Sequence, residues 1–339
     1  MDRTTRTRRR AAAWAAVAAL VLSACAPTLP EPQPADVPAV PPPAVTPAQA
    51  ERVLDAVGAT LTTADAALST DGLDARLSGP ALASRTAEYA VTSATAGAKG
   101  LTPVPTSAQT LVVPNTQEWP RVQLVVTEQP DDLSSPRLLV LQQASPRSQY
   151  MLWGWARLLP GVQMPATATA DVGSTPLPPD AAGLVVAPAD VASQYADLLT
   201  NGDASAFASV FAGPDSFRQG LLTGREPLAQ VAAQASGTFS EISTAVPDQT
   251  FALSTADGGA IVVAAMTTTS SLTFSGATLP LPPELAAVSG GALAPGSELR
   301  SSLGVTYSDV VAFYVPPAGV QAPVEVLGAE HIRTSVTGA

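Results

Sequence analysis

The sequence predicts an α+β protein of two tandem domains, each with N-terminal helices packed on a curved antiparallel sheet. Three observations lead there. Apolar residues recur at steps of three and four after Thr46, then at steps of two after Thr106. The same succession, helical period and then strand period, restarts at Pro188. Between the two runs, residues 161–187 are rich in Pro, Gly and small side chains and read as a linker.

Ahead of the first helix the chain carries an address. Arg3, Arg6, Arg8, Arg9 and Arg10 precede an apolar run over residues 11–22, followed by Ser23-Ala24-Cys25. A basic start, a short apolar stretch and small residues at a cut describe a secretory signal over residues 1–24. Its dozen apolar residues span roughly 18 Å, against a hydrocarbon core of about 30 Å, so a permanent membrane span is not expected. Cys25 is the only cysteine, which excludes a disulfide within the chain. The pattern resembles the bacterial lipobox. That resemblance implies diacylglycerol on Cys25, cleavage before it, and attachment to the outer face of the cytoplasmic membrane. Two acyl chains, at about 0.8 kcal/mol per buried CH₂, suffice for stable anchoring.

Loss of the leader would leave 315 residues with a net charge of −15, and Lys99 is the sole lysine. An acidic surface so poor in lysine excludes nucleic acid as a partner, since that binding rests on neutralising phosphates. Residues 25–45 hold Cys25 and eight prolines, from Pro27 to Pro43. Proline fixes φ and keeps the chain extended, so this segment reads as a semi-rigid tether.

The first domain is expected over residues 46–160. Thr46-Pro47-Ala48-Gln49 combines an N-cap, a proline at the first helical position and a capping box. The helix it opens runs to Leu68, and Asp71-Gly72 ends it. A short helix is expected over 73–77 and another over 81–96, then strands over 109–113, 121–128, 138–144 and 149–158. The second domain, residues 188–339, opens with a helix from Pro188 to Asn201 and a short one over 204–211. Leu77-Ser78-Gly79-Pro80 matches Phe211-Ala212-Gly213-Pro214, each behind an Asp-Gly or Gly-Asp break and a short helix. Strands are expected over 237–244, 250–254, 260–274, 308–315 and 324–335, with a long loop over 279–295.

Helices followed by a long curved sheet resemble the cone-shaped domains of the nuclear-transport-factor-2-like class. The chain as a whole resembles an actinobacterial lipoprotein family of unknown function. The residues carrying that resemblance are the tether, the 46–68 helix, Ser78-Gly79-Pro80-Ala81-Leu82, Arg85-Thr86-Ala87-Glu88-Tyr89 and Trp153-Gly154-Trp155. Neither resemblance implies catalytic residues.

Motifs for chemistry are scarce. His331 is the only histidine and reads as a strand residue paired with Glu330 or a neighbouring strand. A zinc site would need several His or Cys ligands, so no metal is expected. No Gly-x-Ser-x-Gly elbow marks a nucleophile. Lys99 has no Ser-x-x-Lys partner, and Asp131, Asp132 and Asp180 fall in loops without calcium-loop spacing. Ser289-Gly290-Gly291-Ala292 lacks the spacing and lysine of a phosphate loop, so no cofactor is expected. The remaining candidates are aromatic. Met151, Trp153 and Trp155 alternate, which places them on one sheet face. In a cone that face would be concave and could form an apolar pocket, with Glu88, Tyr89 and Arg157 as its polar groups. The expected function is therefore that of a non-catalytic cell-envelope lipoprotein with a binding or assembly role at the outer face of the cytoplasmic membrane, its partner an envelope protein or an apolar ligand. The alternative is an enzyme or small-ligand carrier using such a pocket, with Glu88 or Asp197 as general base.

Overall fold

A computed structural model describes residues 40–130 and 133–339. The predicted leader, Cys25 and the tether as far as residue 39 lie outside the described residues, as do Asp131 and Asp132. At residue 44 the chain is already docked: the Ala44 amide donates to the Pro114 carbonyl at 2.8 Å.

Helix α1 (Pro47–Ala67) begins where its sequence signal says. Thr46 Oγ1 accepts from the Gln49 amide, and Gln49 Oε1 accepts from the Thr46 amide at 2.8 Å. Ala50, Leu54, Val57, Leu61 and Ala64 form its buried stripe. A 3₁₀ turn (Leu73–Ala75) leads to α2 (Gly79–Ala94) and four strands: β1 (Ala108–Val112), β2 (Arg121–Thr127), β3 (Arg137–Gln143) and β4 (Met151–Leu158). The second half repeats the order with α3 (Pro188–Asn201), a 3₁₀ turn (Gly202–Ala204) and α4 (Ser216–Gln234). Long strands follow: β5 (Phe239–Ser254), β6 (Ala260–Thr273), β9 (Ser302–Val315) and β10 (Glu325–Gly338). Between β6 and β9 lie the short pair β7 (Leu279–Pro280) and β8 (Glu298–Leu299) and the one-turn α5 (Pro283–Ala286).

The architecture is α+β, on one curled antiparallel sheet rather than the two expected. Its strand order is β1-β2-β3-β4-β10-β9-β6-β5. Each half is a four-strand meander, and their last strands, β4 and β10, pair at Gly328↔Leu158 and Ala329↔Arg157. Beneath each meander the matched motif makes the same attachment. Ser78 N donates to Leu152 O and Leu152 N to Arg76 O; Ala212 N donates to Val324 O and Val324 N to Val210 O. The repeat read at Leu77 and Phe211 is thus a repeat of hydrogen bonding, with both residues in parallel bridges to equivalent places.

Burial defines the layers. α1 and α2 cover one face of β2–β4, around Leu54, Leu61, Leu139, Leu152 and Trp155. α3 covers the corresponding face of β6, β9 and β10, around Tyr195, Val262 and Phe313. The opposite faces of the two meanders pack on each other, bringing Leu124, Val140 and Trp153 against Ile261, Val263 and Ala312. Face-to-face sheet packing of this kind is the usual way two apolar sheet faces leave water. The concave interior of a cone is therefore absent here: the other half of the same sheet fills it.

Several segments depart from the sequence reading. Residues 204–211 form turns after the short 3₁₀ segment instead of a helix, whereas residues 216–234, where no element was expected, form α4. β5 is one strand with a four-residue irregularity at 246–249, not two strands.

Candidate functional site

The described residues contain a cleft of about 760 Å³ between α4, the sheet of the second half and the end of β4. Its polar lining includes Arg157, Glu241, Ser270, Tyr307 and His331, with Ser134, Ser135 and Ser216. Its apolar wall comes from Leu158 and Leu159 on one side and Phe217, Leu221 and Leu228 of α4 on the other.

The register of β9 and β10 builds the floor. His331 lies directly opposite Asp309, and Arg333 opposite Tyr307. His331 Nδ1 donates to Asp309 Oδ1 at 2.5 Å. Asp309 is wholly buried and also accepts from Thr268 Oγ1 at 2.6 Å; Thr268 in turn shares a hydrogen bond with Ser243, whose amide donates to Thr200 Oγ1 on α3. A buried carboxylate must find donors, and this chain supplies them across four elements. The histidine ring is stacked on Tyr307 (3.9 Å, 14°) and meets the edge of Phe217 at 5.9 Å. Position, tautomer and ring plane of His331 are thereby fixed, with Nε2 left unbonded among the described residues at the cleft surface. Sequence reading paired His331 with Glu330 or a strand neighbour; its partner is Asp309 on the neighbouring strand, and Glu330 pairs with Arg137 instead. The buried relay behind it has no local signal, because Thr200, Ser243, Thr268, Asp309 and His331 each lie at least 22 residues from the next and meet only in the fold.

Glu241 is a closed account of charge. It takes Arg225 Nε at 2.7 Å and Ser270 Oγ at 2.6 Å. Arg157 is exposed and makes no ion pair among the described residues.

The roof is α4, and it is loosely built. Asp215 caps it by accepting from Arg218 N, but Gly220, Gly224 and Pro227 all lie within it. Only Arg218 and Ala232 are buried, while Leu222, Leu228 and Val231 are 40–50% exposed. Its other ties are the ion pairs Arg218–Asp203 and Arg225–Glu241. α2, its counterpart in the first half, has six buried residues and lies flush on β4. A Cβ added at Gly220 or Gly224 would meet nothing within 4 Å, so packing of the protein itself does not demand glycine there. The apolar steps Phe217, Leu221, Leu228 and Val231 were the available signal for this helix; the two glycines and the proline masked it.

The residues singled out from sequence are dispersed. Trp153 and Trp155 lie in different clusters on opposite faces of β4, because a bulge interrupts the β3–β4 register between Val140 and Leu141 and breaks the period of two. Trp153 packs edge-on to Phe251 at 4.8 Å and donates to Gln249 Oε1 at 2.8 Å. Trp155 lies under Arg85, and Met151 is half-buried at the strand start. Glu88 and Tyr89 belong to a tight polar network. Glu88 accepts from Arg85 and the Thr102 amide, Tyr89 donates to Asp65 at 2.6 Å, and burial pushes the Tyr89 hydroxyl's pKa up. Arg137, next to this network, donates to Glu330 at 2.6 Å. Asp197 accepts from Asn201 and Ser205 at the end of α3. Of the six pocket candidates, only Arg157 borders the cleft.

Among the described residues no group of His, Cys, Asp and Glu is placed to hold a metal, and no helix is long and apolar enough to cross a membrane. The structure thus defines a class: an α+β protein on one curled antiparallel sheet, with a cleft under a loosely held helix. Residues 41–338 match the family described as Domain of unknown function (DUF8094), and the chain belongs to that family. No curated protein and no solved structure matches the chain.

Proposed function

We propose that this is a non-catalytic, lipid-anchored protein of the cell envelope that holds a small ligand in the cleft under α4. The observation that carries the reading is the difference between equivalent helices. α2 closes flush on its meander, whereas α4 leaves about 760 Å³ beneath it and presents glycine where an added Cβ would meet nothing within 4 Å. Pockets of several hundred Å³ with a mainly apolar wall and a few fixed polar groups are the usual form of small-molecule sites. The anchoring half of the proposal rests on the basic and apolar leader and Cys25.

Two measurements test it. Cys25→Ala is expected to move the protein from the membrane fraction to the soluble one; a variant still processed and membrane-bound like the parent sinks the anchor. Protein extracted from its own membranes is expected to carry a small molecule in native mass spectrometry. Filling the cleft with Gly220→Leu and Gly224→Leu should abolish it, and ligand retained by the filled variant removes the cleft from consideration. The Asp309–His331 pair favours a second reading, in which the bound molecule is turned over. Recovery of an altered molecule, with alteration stopped by His331→Gln, would select that reading over binding alone.

A further inference from the structure

We propose that the cleft takes an amphiphile with a single acidic head group, carboxylate or phosphate monoester, held by Arg157 with its apolar body along α4. This rests on the reading of the cleft as a ligand site and adds the chemistry of the occupant.

Charge and geometry carry the assignment. Arg157 pairs with Ala329 across the seam between β4 and β10, and His331 lies two residues further along β10. Both border the cleft, so a cation and a fixed ring nitrogen stand at one end of it. The carboxylates around this end are already engaged: Asp309 by Thr268 and His331, Glu241 by Arg225 and Ser270, and Glu330, which also feels Arg157, by its 2.6 Å ion pair with Arg137. Arg157 itself makes no ion pair among the described residues, although the chain as a whole is strongly acidic. In so acidic a protein, an exposed cation at a cleft with no ion pair among the described residues is a place for an anion from outside. From that end the wall turns apolar through Leu158, Phe217, Leu221 and Leu228, and the bare backbone at Gly220 and Gly224 leaves room for a chain to lie against the helix. A free inorganic anion would make no use of this wall; an uncharged lipid would make no use of Arg157.

The test uses the full chain with Cys25→Ala and equilibrium dialysis of four probes: dodecanoate, dodecyl phosphate, dodecanol and inorganic phosphate. The acids are expected to bind about tenfold or more tightly than dodecanol, as one charge-assisted contact would give. Arg157→Gln should erase that difference and leave dodecanol binding unchanged, and Arg157→Lys should restore part of it. Equal binding of dodecanol and the acids, or indifference to Arg157→Gln, overturns the head-group assignment. Phosphate binding as tightly as dodecyl phosphate overturns the amphiphile in favour of a bare anion. If none of the probes binds while native extracts still yield a cleft ligand, this assignment fails and the ligand-site reading stands; if extracts are empty as well, both fail.

Discussion

Arg137 and Glu330 show how single residues hold the two halves to one another. Their side chains meet at 2.6 Å, both largely buried, and link β3 of the first half to β10 of the second. Burial raises the Glu330 carboxyl above its ordinary range against the opposing pull of Arg137, and burial lowers the Arg137 guanidinium. A carboxyl raised on folding contributes stability below its unfolded value and loses it as pH rises through the folded one. Arg137→Met removes the counter-charge and should cost about 3 kcal/mol at pH 8, where Glu330 must stay ionised in a dry site. At pH 5 the cost should be smaller, because Glu330 can take up a proton. Urea unfolding at the two pH values measures this, and equal losses would show that the pair is not electrostatically linked. Gly154 acts at the same scale by absence: an added Cβ would lie 3.1 Å from Val310 Cγ2, where the two meanders face one another.

Among the elements, α4 is the one at odds with its own sequence. Glycine costs a helix interior about 1 kcal/mol relative to alanine, and this helix carries two, together with Pro227. Gly224→Ala should therefore stabilise the protein by up to about 1 kcal/mol and slow amide exchange within α4. A destabilised variant would mean that the added methyl meets an obstacle. α1 is the opposite case. Its capping box, proline and apolar stripe all agree, which is why its limits could be read to within a residue from Thr46, Pro47, Gln49 and the 3–4 spacing. The strands β2 to β4 were legible for the same reason, within one or two residues. The Trp153–Trp155 alternation misled because a bulge leaves no mark in hydropathy: both tryptophans are buried, on different faces.

At the scale of the molecule, the described residues from 40 onward form one compact unit. Each meander leaves one face bare of helices, and only the other meander covers it. Fragments 40–160 and 188–339, expressed separately, should each expose that face and fail to unfold cooperatively, while the intact chain should melt in a single transition. A cooperative melt of either fragment alone would show that its helices and sheet are a sufficient core. The same arrangement places the cleft, since its wall at Leu158 and Leu159 comes from the first half and its floor from the second.

The amino-acid sequence by itself determined the local states and their order: where periodicity changes, where caps and turns fall, that helices precede antiparallel strands twice over, and that the motif at Leu77 returns at Phe211. Those are properties of short segments, set by backbone preferences and by which positions are apolar. Tertiary structure decided the rest. Whether two meanders make two sheets or one depends on two residue pairs at the β4–β10 seam, and a buried face reads the same whether a helix or a second sheet covers it. His331 joined Asp309 and Thr268 only through strand register, and Arg157 gained a cleft only once α4 stood off the sheet. Contacts between residues far apart in the chain carry no periodic signal, so the site emerges with the fold and not before it.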